Sequence, residues 1–304
     1  MPDPFTKTVI EKTAAALRAA EEDQLPTKIQ GYDLLTHLGQ GALGVVYRGT
    51  QLGTNRDVAI KCIRPELQLN DKVRQLFIRE ASIAAQLKHR CIVECLGFGF
   101  VESQPYLVME YLPSEDLEQI AMRHSPSRRV RLAVKVVLQI LEGLQYAHNK
   151  GFVHRDIKLS NILAYRVNKR LHIKIADFGL AKVFQTAGHS GITRSDELCG
   201  TVAYMSPEQM SDSRSAKPDS DLYSAIICLF RLLTGQFPYP AGTIADTMQR
   251  RLHENPRRVQ ELNPEVSDAL GLVVDSGLSR FPQLRWRSGR RLIEALRQVP
   301  EMQQ

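Results

Sequence analysis

His154-Arg155-Asp156-Ile157-Lys158-Leu159-Ser160-Asn161 decides how this chain is read, together with Asp177-Phe178-Gly179 a short way downstream. Transfer of a phosphoryl group from a nucleotide asks little covalent chemistry of a protein. It needs one carboxylate at the attacking hydroxyl and further oxygen donors on the magnesium ions that neutralise the phosphates. Asp156 fits the first task, and Asn161 and Asp177 are oxygen donors suited to hard Mg²⁺. An isolated Asp or Asn in a turn more often serves a cap or an Asx-turn, so the reading depends on what else the sequence supplies.

Upstream lies a second half-site. Gly39-Gln40-Gly41-Ala42-Leu43-Gly44-Val45-Val46 is a glycine-rich turn with three gaps in Cβ cover, which lets backbone N–H groups close over phosphate oxygens. Val58-Ala59-Ile60-Lys61 follows as a short apolar strand ending in a cation. Alone, the glycine pattern is as well read as an ordinary hairpin. In order with the lysine strand, the Asp156 loop and Asp177, that reading fails.

The ordered set of glycine loop, strand lysine, His-Arg-Asp loop with its asparagine, Asp-Phe-Gly and the Pro207-Glu208 motif resembles the eukaryotic-type protein kinases. Within them it is most similar to the bacterial serine/threonine branch, on Gly200-Thr201-Val202-Ala203-Tyr204-Met205-Ser206-Pro207-Glu208-Gln209, on Asp221-Leu222-Tyr223-Ser224 and on Leu233-Thr234-Gly235. The resemblance implies an α+β, two-lobed fold with a small β-rich N-lobe over about 29–110 and a larger helical C-lobe over about 113–298, the whole domain spanning 29–298. Residues 1–28 would be an N-terminal helical extension, on the amphipathic spacing of Val9, Ile10, Ala14, Leu17 and Ala20, and 299–304 a tail.

The roles implied are specific. Asp156 would accept or orient the substrate hydroxyl proton, and Lys158 would offset charge on the γ-phosphate of ATP. Lysine at that position is the serine/threonine pattern. Lys61 would reach the α- and β-phosphates and pair with Glu80 of Arg79-Glu80-Ala81, which shares a helical stripe with apolar residues; Glu66 is the competing carboxylate. Gly39, Gln40, Gly41, Ala42 and Gly44 would cover the phosphates. Adenine would lie between Val46 and Ala59 above and Leu163 below, with backbone groups of Glu110 and Leu112 as partners and Met109 at the back. His154, Arg155 and Phe178 read as architecture, and Glu208 is expected to pair with Arg285.

Departures from the family pattern are Leu43 at the loop tip, Ser206 for an alanine, Ile226 for a glycine, Trp286 for a proline, and Ser279-Arg280-Phe281-Pro282 for an acidic turn. All lie outside the groups that touch the transferred phosphate, so an active enzyme is expected. The alternatives are a nucleotide-binding pseudokinase scaffold and a small-molecule phosphotransferase; the latter would usually lack the Gly200-to-Glu208 platform.

Composition sets further bounds. The hydrophobic share of 43% is ample for a core, and the net charge of +7, from 40 basic and 33 acidic residues, gathers late in Arg280, Arg285, Arg287, Arg290, Arg291 and Arg297. Without aromatic interleaving this does not read as nucleic-acid binding. The 5 cysteines show no CxxC pair, which suits a reduced protein. The apolar runs Leu132–Leu141 and Leu222–Leu233 are too short to span a bilayer, and no span or signal peptide is expected; the expected location is cytoplasmic. Helices are expected over Arg74–Leu87 and Leu132–Lys150, and a buried strand over Tyr106–Leu112. Expected partners are ATP, protein substrates with Ser/Thr acceptors, and a second copy for trans-autophosphorylation. In the polar activation segment, expected to stay mobile until ordered, Thr193 and Ser195 are the expected autophosphorylation sites, with Thr186 and Ser190 competing and Arg155, helped by Lys182 or Arg79, capturing the phosphate.

Overall fold

The computed structural model describes residues 29–41, 44–64, 67–101, 103–178, 200–211, 216–240 and 242–303. The expectations for residues 1–28, Ala42, Leu43, Glu66 and the activation-segment hydroxyls lie outside the described residues.

The N-lobe is a five-stranded antiparallel sheet in the order β1-β2-β3-β5-β4, built from β1 (Tyr32–Gln40), β2 (Gly44–Gln51), β3 (Arg56–Ile63), β4 (Cys95–Val101) and β5 (Gln104–Glu110). The run Val58-Ala59-Ile60-Lys61 is buried without alternation because β3 is central and covered on both faces. Helix α1 (Asp71–Ala84) packs on one face through Val73, Phe77 and Ala81. It starts earlier than its apolar stripe because Asn70 caps it, accepting from Lys72 N at 3.1 Å and Val73 N at 3.3 Å.

The C-lobe is helical: α2 (Leu117–Met122), α3 (Pro126–Asn149), a two-stranded ribbon of β6 (Ile162–Val167) and β7 (Arg170–Ile175), then α4 (Pro207–Ser211), α5 (Pro218–Thr234), α6 (Ile244–His253), α7 (Val259–Leu262), α8 (Asp268–Leu278) and α9 (Gly289–Gln298). Its core lies where α3 crosses α5, both buried along most of their length. Helix α3 begins several residues before its apolar run, since Pro126 presets φ in the first turn and needs no donor there. Gly143 lets α3 approach β7: a Cβ would stand 2.9 Å from Ile175 Cδ1 and 3.1 Å from Cys91 O. No helix among the described residues is long and apolar enough to cross a membrane.

Three of the departures from the family pattern, at Ile226, Trp286 and Ser206, are absorbed by local packing. Ile226 is fully buried against Gly277 of α8, where a Cβ would fall 2.6 Å from Ile226 Cγ1. Trp286 donates Nε1 to Val273 O at 3.0 Å. Ser206 donates N and Oγ to Gln209 Oε1, both at 3.1 Å, and Gln209 Nε2 in turn donates to Arg155 O at 3.1 Å. Arg285 Nη1 reaches both Glu208 oxygens at 3.0 and 2.8 Å, the pairing expected from sequence.

Candidate active site

Between the lobes lies a cavity of about 970 Å³. Its N-lobe wall comes from β1, β2 and β3 through Gly39, Gln40, Gly41, Val46 and Ala59; its back and floor come from Met109, Glu110, Leu112 and Leu163. Asp156, Lys158, Asn161 and Asp177 line the far end. Sequence reasoning missed Leu38, Val93, Glu118 and Tyr204, which also line it. Leu38 escapes notice because irregular register between Leu34 and Thr36 and between His37 and Gly39 breaks the period of two along β1. The other three are brought in by tertiary packing and carry no local signal.

Two of the glycines expected to cover the phosphates have packing roles of their own. Gly44 does not line the cavity; a Cβ there would meet Cys62 O at 2.7 Å and Lys61 Cγ at 3.2 Å, so its bareness lets β2 lie against the lysine strand. Gly41 lines the cavity, but its N–H is committed to Gly44 O at 2.8 Å. At the link between lobes, Glu110 N donates to Glu94 O at 3.0 Å, whereas the Leu112 N–H has no partner among the described residues. Such an amide suits an acceptor nitrogen of a flat heteroaromatic ring.

Behind the wall, Lys61 and Glu80 are each 3% exposed. Lys61 Nζ donates to Glu80 Oε1 at 2.8 Å and to Asp177 Oδ1 at 2.7 Å. Burial pulls the Lys61 ammonium down, but the charges of Asp177 and Glu80 more than reverse this and hold it above the usual lysine range. Burial pushes the Glu80 carboxyl up to about 7; Lys61 opposes this and the negative charge of Asp177 adds to it. Burial acts in the same sense on Asp177, yet Lys61, with smaller help from His154 and Lys158, holds that carboxyl below the usual range. Asp177 is thus firmly anionic while Glu80 is poised near neutrality.

The loop at the floor is held from below. Asp221, near the start of α5, accepts from His154 N at 2.8 Å and Arg155 N at 2.7 Å, and bonds His148 Nε2 at 2.8 Å. His154 Nε2 meets Ala176 O at 2.8 Å and its ring packs edge-on against Phe178, centroids 4.5 Å apart. This fixes the Asp156 loop to the Asp177 segment. Asn161 Nδ2 donates to Asp156 O at 2.8 Å and Asp156 Oδ2 at 3.1 Å. Lys158 Nζ stands 3.1 Å from Asp156 Oδ2 and donates to Thr201 Oγ1 at 2.9 Å. Arg155 and Asp177 hold φ of 70° and 61°, the left-handed region that non-glycine residues occupy at a cost, and such strain concentrates at functional sites.

Among the described residues no group of three or more His, Cys, Asp or Glu could hold a metal ion. The donor set nevertheless fits Mg²⁺, which keeps several waters and binds through one or two carboxylates plus substrate phosphates. Asn161 spends its Nδ2 on Asp156, so its carbonyl oxygen takes part in neither of those bonds, and Asp177 uses Oδ1 for Lys61 and retains Oδ2.

The Lys61–Glu80 pair makes the site pH-sensitive. As pH falls through about 7 in the free protein, Glu80 takes up a proton and the pair loses its anion. The second-order rate constant with nucleotide is expected to rise with pH across that value, because this profile reports groups of the free enzyme. Stability runs the other way. The native carboxyl keeps its proton above the ordinary value of 4.5, so its contribution to folding declines as pH climbs from there through about 7. Glu80→Gln, which cannot titrate, should remove the acid limb of the kcat/KM profile; an unchanged limb in that variant would assign it to another group.

The protein kinase domain family model matches residues 32–295. Serine/threonine-protein kinase pkn3 of Myxococcus xanthus is 32% identical over 88% of this chain and 50% of its own length. The probable serine/threonine-protein kinase PknB of Lactococcus lactis is 36% identical over 80% and 38% respectively, and PknB of Mycobacterium tuberculosis 32% over 84% and 41%. The chain thus spans half or less of the length of these curated relatives. Among solved structures, the PknI kinase domain of Mycobacterium tuberculosis superposes with a TM-score of 0.65 at 23% identity, over 89% of this chain and 96% of that one, which speaks to the fold. With the family model covering most of its length, this chain belongs to the protein kinase domain family.

Proposed function

We propose that this chain is a serine/threonine protein kinase, transferring the γ-phosphoryl group of ATP to a hydroxyl of a protein substrate with Mg²⁺ as its ion. One observation carries the reading. Asp156, Lys158, Asn161 and Asp177 converge at one end of a single cavity whose opposite walls are apolar, with Lys61 locked between Glu80 and Asp177 behind them. The names of the curated relatives point the same way.

In this reading the apolar walls of Val46, Ala59 and Leu163 hold the adenine, Met109 closes the back, and the Leu112 N–H offers it a hydrogen bond. The chain's cations then address the phosphates: Lys61 from behind and Lys158 from the floor. Asp156 takes the acceptor hydroxyl's proton as that oxygen bonds to the γ-phosphorus and the bond to the β-phosphate oxygen breaks, releasing ADP. Bound Mg²⁺, held by Asn161 and Asp177, supplies positive charge that offsets the phosphates. ATP as substrate supports a cytoplasmic location.

Regulation by autophosphorylation forms part of the proposal. Among the described residues Arg155 Nε is buried without a hydrogen-bond partner, and a phosphate brings nearly two negative charges that such a guanidinium can bind. Thr193 and Ser195, the expected sites, lie outside the described residues. Incubating purified protein with labelled ATP, Mg²⁺ and a generic basic protein should label the protein substrate on Ser or Thr. Mass spectrometry of the kinase itself should find phosphate on Thr193 or Ser195. Nucleotide binding without any labelling would favour a scaffold, and an active enzyme with both residues unmodified would remove the switch.

A further inference from the structure

Helix α6 is attached to the domain without an apolar stripe: Ile244, Thr247 and Met248 are only half-buried, and the buried residue of the helix is Arg251, at 1% exposure. Taking a cation out of water is costly and is usually offset by a carboxylate. Among the described residues none pairs with Arg251. Its Nη2 donates instead to Ala203 O at 2.8 Å, and its Nη1 to Met205 O and, at 3.4 Å, to Val202 O. The guanidinium also lies against the rings of Tyr239 and Tyr223, at 5.2 and 5.7 Å from their centroids. Three carbonyls of one short turn therefore converge on a single planar cation, an arrangement a lysine's point charge does not reproduce.

That turn, residues 201–205, forms the wall of the cavity next to the transfer residues. Thr201 and Tyr204 line the cavity beside Asp156, and Thr201 Oγ1 receives Lys158 Nζ. The nucleotide's expected walls belong to other elements, so whatever the turn touches must lie beyond the γ-phosphate, where the acceptor hydroxyl enters. We infer that Arg251 is a positioning residue for the protein acceptor: it holds the 201–205 turn, and through Thr201 the Lys158 side chain, in register with Asp156. The inference rests on the kinase reading.

The test compares wild type with Arg251→Met and Arg251→Lys. In Arg251→Met, kcat/KM for a generic protein acceptor is expected to fall by about 10–100-fold, the scale of a small misplacement at a reacting centre, while KM for ATP stays within about twofold. Hydrogen exchange should quicken at the Tyr204 and Met205 amides, which now donate to Thr201 O at 3.0 Å and Val202 O at 3.2 Å. Arg251→Lys should recover part of both. Binding of Mg·ADP reports folding, and if Arg251→Met fails to bind it, Arg251→Lys carries the comparison: acceptor use reduced with nucleotide binding intact supports the inference, wild-type behaviour overturns it. Unchanged acceptor kcat/KM, a parallel loss of ATP and acceptor use, or unchanged exchange at 204 and 205 likewise overturns it, leaving the kinase reading in place. Wild-type protein that binds nucleotide but phosphorylates no acceptor would overturn the kinase reading itself, and the role in acceptor positioning with it.

Discussion

Asp156→Asn is expected to lower phosphoryl transfer by about 10²–10⁴-fold, the usual worth of a positioned general base, with nucleotide affinity unchanged. The substitution should leave the loop intact. Asp156 is 7% exposed, its Oδ2 accepts from Asn161 Nδ2 at 3.1 Å and faces Lys158 Nζ at the same distance. An asparagine of the same shape keeps one oxygen for both donors, and the backbone contacts of the loop to Asp221 do not involve the side chain. What the amide cannot do is take up the hydroxyl proton. Single-turnover transfer to a protein acceptor and calorimetry with Mg·ATP separate the two effects. Transfer within about tenfold of wild type would remove Asp156 from this role, and a matching loss of nucleotide affinity would make it a binding residue.

The parts of this site legible in the sequence are those where local pattern and function coincide. Lys61 ends a continuous apolar run, which marks a buried strand, and a lysine there needs a partner. Glu80 falls on the stripe of Phe77 and Ala81, so its burial beside that lysine follows from helical spacing. In the sequence Asp221 is one member of a family string, yet in the fold it holds the 154–156 loop by two backbone N–H bonds and fixes His148. Nothing local announces this, because the bonds cross between α5 and a loop far away in sequence. Arg251 is hidden for a different reason: its charge marks it as a solvent residue, although helical spacing puts it on the same face as Ile244, Thr247 and Met248. Its burial depends on carbonyls that only the folded 201–205 turn presents. Gly44 shows a motif residue whose bareness also serves strand packing against Cys62 and Lys61, a role that spacing alone does not reveal.

Asp177→Asn should fail differently from Asp156→Asn. Its φ of 61° is one that Asn adopts as readily as Asp, so the backbone is not strained by the change. The side chain sits at 2.7 Å from Lys61 and is held anionic by it. Removing that charge has two consequences. Lys61 keeps Glu80 as partner, and Glu80 loses the negative neighbour that helps push its carboxyl up to about 7, so the acid limb of the kcat/KM profile should move to lower pH. On the proposed reading Mg²⁺ would also lose its carboxylate ligand. Mg²⁺-dependent enhancement of nucleotide affinity should drop by at least about tenfold, and turnover by about 10²–10⁴-fold, as expected when several kcal/mol of charge stabilisation by a metal is withdrawn. Nucleotide affinity measured without Mg²⁺ should be unchanged or slightly higher, because an anion facing the phosphates has gone. Calorimetric titrations of ATP with and without Mg²⁺, run on both variants, decide the assignment. If Asp177→Asn retains the full Mg²⁺ enhancement together with wild-type turnover, the ion is held elsewhere and Asp177 serves only to fix Lys61.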